Sequence, residues 1–88
     1  MKIKEFYQII KNGENSHVEF KNANISTNDL AYEIAAFANF EGGILLIGVD
    51  DDGKISGVER DNFEEYLMNI CRNNINPGII PSYERLHT

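Results

Sequence analysis

The run Ile44-Leu45-Leu46-Ile47-Gly48-Val49 is almost unbroken in its apolar character. Gly42-Gly43 closes it on one side and Asp50-Asp51-Asp52-Gly53 on the other. It is short for a helix and bounded by turn residues, so it reads as a strand buried on both faces in the middle of a sheet. Such a strand needs packed layers on each side, and 88 residues must supply them within a single small domain. A chain of this size buries only about 60 to 65 % of the surface its unfolded form exposes, so the core is thin.

The segments around that strand divide by periodicity. Between Lys2 and Lys11, Ile3, Phe6, Tyr7 and Ile10 fall at helical spacing, and Asn12-Gly13 stops the helix. His17-Val18-Glu19-Phe20-Lys21 alternates as a short strand, with Val18 and Phe20 toward the core and His17, Glu19 and Lys21 on the other face. Ser26, Thr27 and Asn28 are candidate caps for a second helix, whose Leu30, Ala31, Ile34, Ala35, Phe37 and Ala38 recur at three and four residues. After the apolar strand, Asp51-Asp52-Gly53-Lys54 reads as a hairpin turn and Ile55 to Val58 as the returning strand. Asp61, with Glu64 three residues on, is the expected cap of a third helix that turns Phe63, Leu67, Ile70 and Cys71 inward. Ile79-Ile80-Pro81 reads as the start of one more strand. The expected class is α+β, a small mixed β-sheet packed with helices in the order α-β-α-β-β-α-(β). Residues 1–13 form an N-terminal helix, 14–81 the motif-bearing core and 82–88 an end that reads as cut short.

Charge bears on partners. Eight Lys and Arg stand against fourteen Asp and Glu, a formal net charge of −6, which disfavours holding phosphates over a broad surface. No apolar run reaches the length of a membrane span, and Met1-Lys2-Ile3-Lys4-Glu5 lacks a signal peptide's apolar stretch. The one cysteine, Cys71, can neither staple the fold nor build a zinc site alone, so the expected setting is cytoplasmic.

Two familiar ligand motifs nearly fit and fail. Gly43 and Gly48 have the glycine spacing of a phosphate-binding loop, but Val49 and Asp50 stand where Lys and Ser or Thr are needed. The run from Asp50 to Glu59 partly matches a calcium loop, yet its first ligand position would be Gly48, which has no side chain to coordinate.

One set of spaced motifs is distinctive. Glu14-Asn15-Ser16-His17-Val18-Glu19-Phe20-Lys21 precedes Ala36-Phe37-Ala38-Asn39-Phe40-Glu41-Gly42-Gly43. Ile47-Gly48-Val49-Asp50-Asp51-Asp52-Gly53 and Ile55-Ser56-Gly57-Val58 follow. Together, over roughly Glu14 to Pro81, they resemble the Schlafen AlbA_2 family of DNA-binding domains, found in prokaryotic transcriptional regulators and in Schlafen proteins. Phe40 departs from the small hydroxyl residue expected after the asparagine. The resemblance implies nucleic acid, DNA before RNA, as the partner, with Lys21, Lys54 and Arg60 as contacts. Some relatives carry an ATP-dependent helicase label, which no phosphate-binding motif here supports.

Schlafen relatives also include endoribonucleases that use three carboxylates and a divalent metal. By motif, the resemblance carries that triad onto Glu14, Glu19 and Asp50, with Mg²⁺ or Mn²⁺ as the cofactor. Three converging carboxylates repel one another unless a hard cation joins them, and such a cation activates water and stabilises charge on a phosphate. Three functions follow for comparison: a DNA-binding domain of a transcriptional regulator, a metal-dependent endoribonuclease, and a protein-assembly module forming a homo-oligomer through its sheet.

Overall fold

The computed structural model describes residues 1–88. The chain runs through α1 (Ile3–Asn12), β1 (Val18–Lys21), α2 (Thr27–Phe40), β2 (Ile44–Ile47) and α3 (Phe63–Asn73). β1 and β2 pair in parallel, with Val18 opposite Ile44 and Lys21 opposite Ile47, and α2 makes the crossover between them. This is the small α+β fold expected, with the apolar run as its centre.

Both faces of β2 are covered. On one side Phe6 of α1 packs with Phe20, Leu46 and Val49, and Ile9, Ile10, Val18, Ile44 and Leu86 close around them. On the other, Leu30 and Ala31 of α2 and Leu67 and Ile70 of α3 form a second cluster that takes in Leu45, Ile47, Ile25, Ile34 and Phe63. The strand's alternation thus divides one apolar run between two cores, and three layers result. Each fully buried Phe, Leu or Ile contributes about 1.5–3 kcal/mol. Phe20, 2 % exposed, fills the first core, while Cys71 is wholly buried beside Ile70 on α3.

Local chemistry fixes the ends of the elements. Ser26 caps α2, its Oγ accepting from the Asp29 N–H at 3.1 Å. A Thr27–Tyr66 hydroxyl contact at 2.6 Å ties the start of α2 to α3. At Gly43 an added Cβ would lie 2.7 Å from the His17 carbonyl oxygen and from the Phe37 ring. Only glycine lets α2 turn so closely into β2.

The structure differs from the sequence reading in extent at three places. The return segment 55–58 is reduced to a single antiparallel bridge, Val49 with Ile55. The Ser56 and Gly57 N–H groups both donate to the Gly48 carbonyl, and Gly57, at φ 82°, then turns the chain off the sheet edge. The stretch Ile79-Ile80-Pro81 adds no strand: the Ile79 N–H donates to the Cys71 carbonyl, which holds the segment against the end of α3. Asp61 does not cap α3, which begins after Asn62 with no side-chain cap. Glu64 instead pairs with Arg85 at 2.9 Å.

Phe20→Ala opens the core between α1 and the sheet, at an expected cost of roughly 3–5 kcal/mol. On a domain of ordinary stability, about 5–15 kcal/mol, that is a large share of the folding free energy. Urea titration followed by far-UV circular dichroism is expected to show the variant's unfolding midpoint far below that of the parent chain.

Candidate functional site

Parallel pairing brings the carboxyl ends of β1 and β2 side by side, the position at which open α/β sheets bind ligands. Two shallow clefts lie there. One, about 460 Å³, is lined by Lys21, Asn22, Asn24, Ile25, Asp29, Tyr32, Glu33 and Asp51, between the end of β1 and the first turns of α2. A smaller one is lined by Asn22, Asp50, Asp51 and Asp52.

Asn22 links the two clefts. Its Nδ2 donates to Asp50 Oδ1 at 2.8 Å and to Ser56 Oγ at 3.3 Å, and its Oδ1 accepts from the Asn24 N–H. The Asp50 side chain is therefore committed to holding the turn after β2 against the loop after β1. Gly48 makes that turn possible: it lies at φ 96°, and an added Cβ would come within 2.9 Å of the Gly57 carbonyl carbon.

Glu19 and Lys21 share one face of β1, as alternation requires. The ammonium lies 3.4 Å from Glu19 and 3.6 Å from Glu33 of α2. Loss of water around Lys21 alone pushes its pKa down, but Glu33 and Glu19 outweigh that and hold it above the usual lysine value. Lys21 is thus a bridged cation before any ligand arrives.

Glu14 folds back so that Oε2 accepts from the Phe20 N–H at 3.3 Å, along the edge of β1 that faces away from β2. The residue is exposed as a whole, yet its carboxylate loses water against the strand, which is the first cause of its raised pKa. The bond from Phe20 opposes the shift, and the neighbouring Glu19 and Asp51 charges reinforce it. Of the three carboxylates carried over by resemblance, the structure brings Glu14 and Glu19 together and ties Asp50 to Asn22 instead. No group of three Asp, Glu, His or Cys side chains stands close enough to hold a metal ion.

Of the other basic residues named from sequence, Lys54 is exposed in the turn after β2. Arg60 stacks its guanidinium 3.9 Å from the centre of the Tyr66 ring. Of Lys21, Lys54 and Arg60, Lys21 is ion-paired and Arg60 is stacked within the chain. Sequence reasoning missed Asn24, Tyr32 and Asp51. The available signal for Tyr32 was its place between Ala31 and Ile34, off the apolar stripe of α2, where a large aromatic must face solvent.

The family model described as Schlafen, AlbA_2 matches residues 14–88. The chain belongs to the Schlafen AlbA_2 family. The match begins at Glu14 and takes in the whole β1–α2–β2 unit, α3 and the C-terminal segment, with α1 ahead of it. No curated protein and no solved structure matches the chain. AlbA_2 membership is consistent with a nucleic-acid-related domain, and the strand-end clefts lie within the matched residues. No helix is long and apolar enough to cross a membrane.

Because Glu14 holds its proton more tightly folded than unfolded, its protonation favours folding. That contribution is complete below the ordinary value of 4.5 and is lost as pH rises through the raised one. Glu14→Gln keeps an oxygen for the Phe20 N–H and removes the charge. Urea melts are expected to show the variant more stable than the parent at about pH 7 and equal to it at about pH 4, below the parent's titration. A gain that persists unchanged at the lower pH would assign the effect to something other than charge.

Proposed function

We propose that this domain binds nucleic acid, as the DNA-binding part of a prokaryotic transcriptional regulator. The match of the Schlafen AlbA_2 family to residues 14–88 carries the reading. The polar cleft at the strand ends, with Lys21 in its wall and Lys54 exposed on the adjoining turn, supports it.

Electrostatics set the form that binding takes. Each phosphate neutralised by Lys or Arg adds about −0.9 to the slope of log affinity against log salt on duplex DNA. Lys21 is bridged by two carboxylates and Arg85 is paired with Glu64, while Lys2, Lys4, Lys11, Lys54 and Arg72 are exposed without an ion pair. Fluorescence anisotropy of labelled DNA with the full chain is expected to give a slope no steeper than about −5. Lys54→Ala is expected to reduce its magnitude by roughly 1. Absence of binding at every salt concentration would overturn the reading.

A second reading, a metal-dependent endoribonuclease using Glu14, Glu19 and Asp50, draws support from the close Glu14–Glu19 pair. No three Asp, Glu, His or Cys side chains converge, so we derive no step through a metal. Structured RNA and duplex DNA incubated with Mn²⁺ or EDTA, then run on native and denaturing gels, separate the readings. The expected result is nucleic acid that is shifted and uncut in both. Cleavage that requires Mn²⁺ and disappears in Glu19→Gln would replace the binding module with the nuclease.

A further inference from the structure

We propose that the larger strand-end cleft takes a single unpaired nucleobase bearing amino donors, guanine foremost, stacked on Tyr32 and read at its edge by Asp29 and Asn24. The inference rests on the nucleic-acid reading and states which part of a nucleic acid the domain recognises.

The cleft, about 460 Å³, is open and mostly polar, with Ile25 and Tyr32 its only hydrophobic lining. Its wall holds Asp29, Glu33 and Asp51 against one cation, Lys21. Phosphate is disfavoured there, and a ligand rich in N–H donors is favoured. Tyr32 stands 74 % exposed beside it on α2, a flat ring given to solvent. Tyr32 and Asp29, three residues apart, are neighbours on one helix face. The side chains of Asn24, Asp29 and Tyr32 make no hydrogen bond within the chain, whereas Asn22 beside them is fully used. Half-buried Ile25, packed on the second core, provides an apolar floor.

The chemistry selects among bases. Guanine presents N1–H and N2–H₂ side by side, a spacing that two oxygens of one carboxylate accept together. Uracil and thymine present one N–H between two carbonyls, which would face carboxylates unfavourably. Stacking on an exposed aromatic is available only to an unpaired base, and in this cleft it does not depend on a phosphate contact. Stacking and edge recognition in this cleft add to the phosphate contacts that exposed lysines elsewhere can supply. Arginine carries similar donors and suits a wall of three carboxylates and one paired lysine, so the nucleic-acid reading is what selects the base, and arginine amide is the competing probe.

The test uses the full chain and three probes: single-stranded oligothymidine with and without a central guanine, the corresponding duplex, and arginine amide. Anisotropy is expected to show the guanine-containing strand bound roughly tenfold or more tightly than oligothymidine. Tyr32→Ala is expected to weaken binding of the guanine-containing strand about tenfold, a loss in the range measured for one stacked base, while Tyr32→Phe keeps the affinity. Asp29→Asn is expected to narrow the preference for guanine while circular dichroism stays unchanged. Equal binding of both single strands, or duplex binding insensitive to Tyr32→Ala, would overturn the cleft assignment and leave the nucleic-acid reading standing. Shifts of the residue 24–33 amides by arginine amide alone in a ¹⁵N spectrum would replace the base with a basic side chain. Binding of no nucleic acid at all would remove both readings.

Discussion

Two-sided burial of β2 is the constraint on which the rest of the structure depends. Four consecutive apolar side chains alternate between a core shared with α1 and a core shared with α2 and α3, so neither layer can be removed without exposing half the strand. Parallel pairing with β1 follows from the crossover through α2, and it places the carboxyl ends of both strands together. The start of α2 must then lie at that same end. The clefts are thus a consequence of how the apolar run is buried.

Much of this was legible because it rests on periodicity. The apolar run, the alternation of Val18-Glu19-Phe20-Lys21 and the stripe of Leu67, Ile70 and Cys71 each predict an element and the face it buries. What escaped was decided by contacts between distant segments. The return strand has suitable residues from Ile55 to Val58, but the two bonds into the Gly48 carbonyl and the backbone at Gly57 end its pairing after one bridge. Asp61 and Glu64 have the spacing of a capping box, yet Glu64 is drawn to Arg85, twenty-one residues on. Capping rules see only the first turn, and a competing partner from the C-terminal segment lies outside their reach.

The candidate site shows the same division. That Glu19 and Lys21 share a face was readable from a strand's period of two, and the ion pair between them bears it out. That Glu33 adds a second carboxylate depends on the packing of α2 over β1, so the bridged state of Lys21 was not readable. Glu14 is likewise settled by tertiary geometry: only when residues 14–20 fold back does its carboxylate meet the Phe20 N–H and approach Glu19 and Asp51. A resemblance carries a residue's type and position, whereas convergence belongs to the particular chain, and here Asp50 turns to Asn22.

These local commitments bear on what an acidic domain can do with nucleic acid. A lysine between two carboxylates has lost water and gained partners, so offering it to a phosphate means breaking interactions already made. Arg60 spends its planar face on Tyr66. Glu14 has one oxygen engaged at the edge of β1, which blunts an otherwise open strand edge and leaves less of the carboxylate for a cation. The polar side chains left uncommitted around the larger cleft are Asn24, Asp29, Tyr32 and Asp51, an amide, two carboxylates and an aromatic ring. Recognition built from them favours base edges and faces over the phosphate backbone, with stacking and edge hydrogen bonds set against the repulsion that a net charge of −6 imposes.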